Sequence, residues 1–211
     1  LFEGNKATEG GGLMVRGEGS LLTVSGNTKI ANNTATFFGG GISVGLKGSL
    51  ALEGANVIVS GNVAEYYGGG IYVDADTYGR GTLTIDGAKI TDNSAVQGGG
   101  IVAKGDILMK NGATVSGNEA GTEGGGVRLS GNYKASLTME GNAKLYGNKA
   151  GTAGADIASV RSSEITLIGA AAMGQSGITG WFADAAGNRY EWPSNITDEQ
   201  NVLFINGVVY L

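Results

Sequence analysis

Apolar residues alternate along most of this chain, in short bursts. Leu13/Val15, Ile42/Val44, Ile71/Val73, Ile101/Ala103 and Val127/Leu129 each stand two apart, the spacing that puts side chains on one face of a strand. The residues between them (Met14, Ser43, Tyr72, Val102, Arg128) vary freely and are expected to face outward. Each burst follows a glycine triplet, at 10–12, 39–41, 68–70, 98–100 and 124–126, decayed in a further copy to Gly154-Ala155-Asp156. A second strand comes next, as in Leu22-Thr23-Val24, Leu83-Thr84-Ile85 and Leu137-Thr138-Met139. A third, such as Ala88-Lys89-Ile90, leads into an asparagine. No window before the last forty or so residues reads as an amphipathic helix.

The asparagines carry the long period. An apolar-x-x-Asn-x-Ala signature recurs at Asn5, Asn33, Asn62, Asn93, Asn118 and Asn148, a mean spacing of about 29 residues. Three short strands per period with glycine-rich bends describe one coil of a parallel β-helix. Each strand then pairs with its equivalent one coil away, about 4.8 Å along the axis. The expected fold is therefore an all-β, right-handed, single-stranded parallel β-helix of about six coils over residues 1–168. Stacking places the six asparagines in one file, where each amide can donate to and accept from the next. The glycines supply positive φ or close backbone approach at a corner.

Composition narrows the chemistry. Glycine supplies 41 of 211 residues and proline one, which excludes collagen. Hydrophobic residues make up 41%, too many for a wholly disordered chain. A net charge of −5 and a pI near 4.8 give no nucleic-acid footprint. Cysteine and histidine are both missing, which removes thiolate nucleophiles, Cys-based zinc sites and the commonest general base. No cofactor and no metal site are expected. No apolar run approaches a membrane-spanning length, so this segment is not expected to insert directly. No leader is visible, and the chain reads as part of a longer protein with other domains.

Phe2-Glu3-Gly4-Asn5 and the Gly-Gly-Gly-Ile/Val/Leu segments together resemble the paired FxxN and GGA[ILV] motifs of polymorphic outer-membrane-protein-type repeats in bacterial surface adhesins. The resemblance spans roughly residues 1–168. It departs from the pattern in that Ile, Val or Leu replaces the aromatic in the other copies and Gly replaces the motif's alanine. What it implies is an extracellular, surface-displayed or secreted bacterial protein. Its β-helix would be a non-catalytic adhesin or stalk, offering a face to glycans or proteins of a host or neighbouring cell.

Past residue 168 the period dissolves, and residues 169–211 are expected to form a β-hairpin cap over the open end. Trp181-Phe182 and Arg189-Tyr190-Glu191-Trp192 flank a loop at 184–188, and a second hairpin is centred on Asn206-Gly207. The two tryptophans alternatively suit a sugar-stacking platform.

Two candidate ligand sites stand out. Phe37-Phe38 and Tyr66-Tyr67 precede successive glycine triplets, so they should stack one coil apart and could take a sugar or a protein partner. The long 74–82 connection carries Asp74, Asp76, Tyr78 and Arg80, a set able to bind a polar ligand. The alternative function is a polysaccharide lyase or glycoside hydrolase of the β-helix class acting on an acidic polysaccharide. That activity needs clustered carboxylates, and within the repeats only Asp74-x-Asp76 forms a close pair.

Overall fold

One turn of the chain makes four strands. In the third coil these are Ile58–Ser60, Val63–Ala64, Ile71–Val73 and Thr82–Asp86, and the same four recur in every coil from Phe2 to Ile168. Equivalent strands pair in parallel, with registers such as Ile30↔Val59, Ile71↔Ile101 and Leu83↔Ile107. The result is a β-solenoid of about six coils at about 29 residues per turn. The computed structural model describes residues 1–130, 133–160, 163–169 and 177–178. It also gives the backbone of four further strands, Trp181–Ala185, Asn188–Glu191, Leu203–Ile205 and Val208–Tyr210.

Four parallel sheets are present where the alternation predicts three. The extra one runs through the Asn-x-Ala segments: Lys6–Glu9, Thr34–Phe38, Val63–Ala64, Ser94–Ala95, Glu119–Ala120 and Lys149–Ala150. Most of these strands are two residues long, with one inward alanine such as Ala35 or Ala64. A single inward position cannot show a period, so the strand is invisible to alternation.

The interior columns are aliphatic. Ile30, Val59, Ile90, Val115 and Leu145 form one fully buried column, and Leu52, Ile85, Met109 and Met139 another. Burying each such side chain contributes roughly 1.5–3 kcal/mol. The first coil is more open. Phe2 is 40% exposed where its register partner Ile30 is 0% exposed.

Each glycine of a triplet has its own reason. The first sits in the left-handed region, at φ 64 for Gly39, 67 for Gly68 and 62 for Gly98. The second leaves no room for a Cβ: at Gly69 it would strike the carbonyl oxygens of Ser94 and Gly99. The third faces the asparagine file, and a Cβ on Gly70 would lie 3.0 Å from Asn93 Nδ2.

That file is continuous. The backbone N–H and the Nδ2 of Asn5, Asn33, Asn62, Asn93 and Asn118 each donate to Oδ1 of the next asparagine, at 2.9–3.0 Å. Each Nδ2 from Asn33 onward also donates to a backbone carbonyl one coil back, as Asn62 does to Ile30. Buried polar groups are thus paired on every side, as low dielectric demands. The sixth coil ends the file by a substitution. Asp156 occupies the third-glycine position, and its Oδ1 accepts from both Asn148 N (3.2 Å) and Asn148 Nδ2 (2.9 Å). A side chain fits there because it fills the place that a further asparagine would take. The decayed triplet is therefore the terminus of the file.

Beyond the sixth coil, Trp181–Ala185 adds to Ile157–Val160 in parallel and turns back through Asn188–Glu191, extending that sheet to eight strands. Asp184, Ala185 and Asn188, expected in the loop at 184–188, lie in these paired strands. Leu203–Ile205 and Val208–Tyr210 pair as an antiparallel hairpin around residues 206–207.

Candidate functional site

The residues between the inward positions after each glycine triplet are expected to point freely to solvent, and three of them do not. Ser43, Tyr72 and Val102 are buried, Tyr72 to 4% exposure. The reason is the glycine corner, which brings the preceding strand's last side chains over them.

Stacking of the aromatic pairs follows from the register. Phe37 lies on Tyr66 (centroids 5.5 Å, 18° between planes) and Phe38 on Tyr67 (5.7 Å, 18°). Phe38 also stacks on Tyr72 at 4.6 Å, so its ring is held between two tyrosines. Phe38 and Tyr67 are half-buried, whereas Phe37 and Tyr66 remain 42% and 46% exposed.

Tyr72 joins this stack to the second candidate. Its hydroxyl donates to Asp74 Oδ1 at 3.2 Å, and Lys104 Nζ donates to the same oxygen at 3.0 Å. The ammonium lies 5.4 Å from the centre of the Tyr72 ring, within cation–π range. Burial pushes the Tyr72 hydroxyl up to about 12, so it stays protonated throughout the physiological range. Burial would lower the Lys104 ammonium, but Tyr72 and Asp74 outweigh it and hold it above its ordinary value.

The rest of the 74–82 connection is committed to the fold. Ala75–Asp76 and Gly79–Arg80 form a small antiparallel ribbon, and Asp76 Oδ1 accepts from the amides of Tyr78 (2.7 Å) and Gly79 (3.0 Å). Arg80 bridges coils: its Nε and Nη2 donate to Asp106, and its Nη1 donates to the carbonyl of Tyr133 at 2.6 Å. The Tyr78 ring, by contrast, projects into solvent at 83% exposure.

The structure thus brings Phe37, Phe38, Tyr66, Tyr67 and Asp74 into one cluster and leaves Asp76 and Arg80 in structural roles beside it. Tyr72 and Lys104 are the members that sequence reasoning missed. The available signal was a large aromatic two residues before Asp74. The tryptophan platform cannot be placed the same way: Trp192 lies outside the described residues, and Trp181 is described by its backbone. Among the described residues no three His, Cys, Asp or Glu side chains converge so as to hold a metal ion. Nor is any helix there long and apolar enough to cross a membrane.

Chemically, the cluster offers exposed ring edges, a neutral phenol and a carboxylate already satisfied by an ammonium. No curated protein and no solved structure matches the chain. Residues 56–74 match the model of the Chlamydia polymorphic membrane protein repeat. They run from the end of the turn before Ile58–Ser60, through Asn62, Tyr66-Tyr67 and the glycine triplet, to Asp74. Together with the parallel solenoid, that match shows that the chain carries β-helix repeats of the polymorphic-membrane-protein kind.

Proposed function

We propose that this chain is a non-catalytic module of a bacterial surface protein, a rigid spacer that presents an adhesive face to another cell. The repeat supports display at the bacterial surface, since its model describes a membrane-protein family. The observation that carries the reading is the Phe37–Tyr66 column, two large exposed rings held in place by half-buried neighbours on a stiff scaffold. Pre-ordered aromatic side chains supply contact area at low entropic cost. Residues 169–211 take the part of a cap in this reading, covering the strand edges left by the sixth coil.

Beads coated with the chain should adhere to host or neighbouring-cell monolayers, and the soluble chain should compete them off. Incubation with uronate-containing polymers, with and without calcium, should release no unsaturated or reducing ends. Release of such products by the purified chain would replace the adhesive reading with the polysaccharide-degrading one.

A further inference from the structure

One face of the solenoid runs against the charge of the chain. It is the sheet of Phe2–Glu3, Lys29–Ala31, Ile58–Ser60, Lys89–Thr91, Thr114–Ser116 and Lys144–Tyr146. Its strands carry three lysines and one carboxylate, Glu3, in a chain of net charge −5. The sheet that contains Thr82–Asp86 carries Lys110 against five carboxylates. Register sets the lysines in one outward file on alternate coils, Lys29↔Ile58↔Lys89↔Thr114↔Lys144. All three are exposed, and among the described residues none pairs with a carboxylate. Of the two acids nearby, Glu3 accepts from Asn32 Nδ2, and Asp92 borders the strip in the bend after Thr91.

Shape limits what this face can take. Strands three residues long on six coils make a strip about 10 Å wide and about 29 Å long. That is roughly 290 Å², against about 800 Å² that a standard protein partner covers on each side. A linear polymer lying along the solenoid axis fits such a strip, and a folded protein does not.

Spacing then chooses among polymers. Lysine backbones on alternate coils stand about 9.6 Å apart. An extended peptide repeats its same-side groups at about 6.7 Å, and a nucleic-acid strand carries a charge about every 3.4 Å. One pyranose unit of an extended polysaccharide is about as long as one coil is high, so a chain acidic on alternate sugars brings one anionic group to each lysine. Ser60, Thr91 and Ser116 form the second outward file and set hydroxyls beside the lysines, and Tyr146, 43% exposed, closes the same file next to Lys144. Hydroxyl and aromatic groups suit the neutral sugars between the charges. We infer that Lys29, Lys89 and Lys144 form a binding track for an extended polysaccharide with an anionic group on every second sugar. The track lies on a different sheet from Phe37 and goes beyond the adhesive reading above.

The test is fluorescence polarisation of labelled oligomers against the intact chain at low salt. Hyaluronan supplies a carboxylate on alternate sugars and a sulfated N-acetyllactosamine oligomer supplies a sulfate. Polygalacturonate is acidic on every sugar, chitin is uncharged, and oligodeoxythymidylate and polyglutamate are the other polyanions. At least one alternating polymer should bind more tightly than all of these at equal anion concentration, and should weaken as salt is raised. Lys29→Gln/Lys89→Gln should lose about ten-fold in affinity, whereas Lys6→Gln/Lys149→Gln, the same charge change on another sheet, should lose less than about three-fold. Melting curves check that both variants fold. Equal losses in the two variants would overturn the inference, as would tighter binding of any other polymer or no binding of either alternating one. Phe37→Ala/Tyr66→Ala should leave this binding unchanged, so failure of the track and failure of bead adhesion are read separately.

Discussion

The asparagine file and the aromatic cluster are built by the same stacking and differ in how often it is repeated. In the file every coil contributes the same side chain, and from Asn33 to Asn148 the amides are buried and paired. In the cluster, coils two and three contribute ring pairs and coil four contributes Lys104. Their equivalents elsewhere are small or polar, such as Thr8 and Gln97. A feature that recurs in all six coils answers to the requirements of the fold. One that occurs once, on the outside, has no such requirement behind it, and its half-exposed rings cost solubility.

The sharpest way to break this contrast is in the middle of the file. Asn62→Ala strips the partners from Asn33 N, Asn33 Nδ2 and the Ile30 carbonyl. A loss of about 3–5 kcal/mol is expected by chemical denaturation, against about 1 kcal/mol or less for Asn5→Ala at the exposed end. Equal losses at the two sites would show that the file is not the source of the stability. Next comes the terminus: Asp156→Gly leaves Asn148 N and Nδ2 without their acceptor and should cost about 1–3 kcal/mol. Asp156→Asn, which keeps the oxygen, should recover most of it.

The cluster should respond to pH instead. The Tyr72 hydroxyl ionises near 10 when unfolded and at about 12 in the fold. Its contribution is therefore complete below pH 10 and is lost as pH rises through about 12. Stability measured across that window should fall less steeply in Tyr72→Phe, and a late-titrating tyrosine should disappear from the ultraviolet titration. The smallest effect is expected on the outermost rings. Phe37→Ala and Tyr66→Ala should each cost about 1 kcal/mol or less, so their effect on binding can be read separately from folding.

Much of this was legible in the residues because stacking copies one coil's requirements onto the next. The period, the inward columns and the asparagine positions can all be read that way. What escaped had no period to show it. The fourth sheet has one inward residue per strand, and Tyr72 is buried only because the glycine corner folds Phe38 over it. Asp156 looks like decay until its carboxylate is seen accepting from Asn148. A subtler rule was present and unread. The residue before each file asparagine is Gly4, Asn32, Gly61, Asp92, Gly117 or Gly147, all at positive φ. Asn32 and Asp92 are each followed one coil later by glycine, because a Cβ on Gly61 would lie 2.5 Å from Asn32 Oδ1 and one on Gly117 2.7 Å from Asp92 Oδ1. A side chain at this position in the next coil would have to displace that oxygen.

Because every asparagine in the file hands its protons onward in the same sense, the amide dipoles add instead of cancelling. The row therefore behaves like an electret, negative toward Asn5 and positive toward Asn148, much as aligned peptide units do in a helix. An anionic side chain at Asp156, itself buried, neutralises the positive pole. The opposite pole lies at Asn5, an exposed residue of the first coil. This polarity gives the solenoid a chemical direction, so that its two ends are not interchangeable even though its coils are nearly alike.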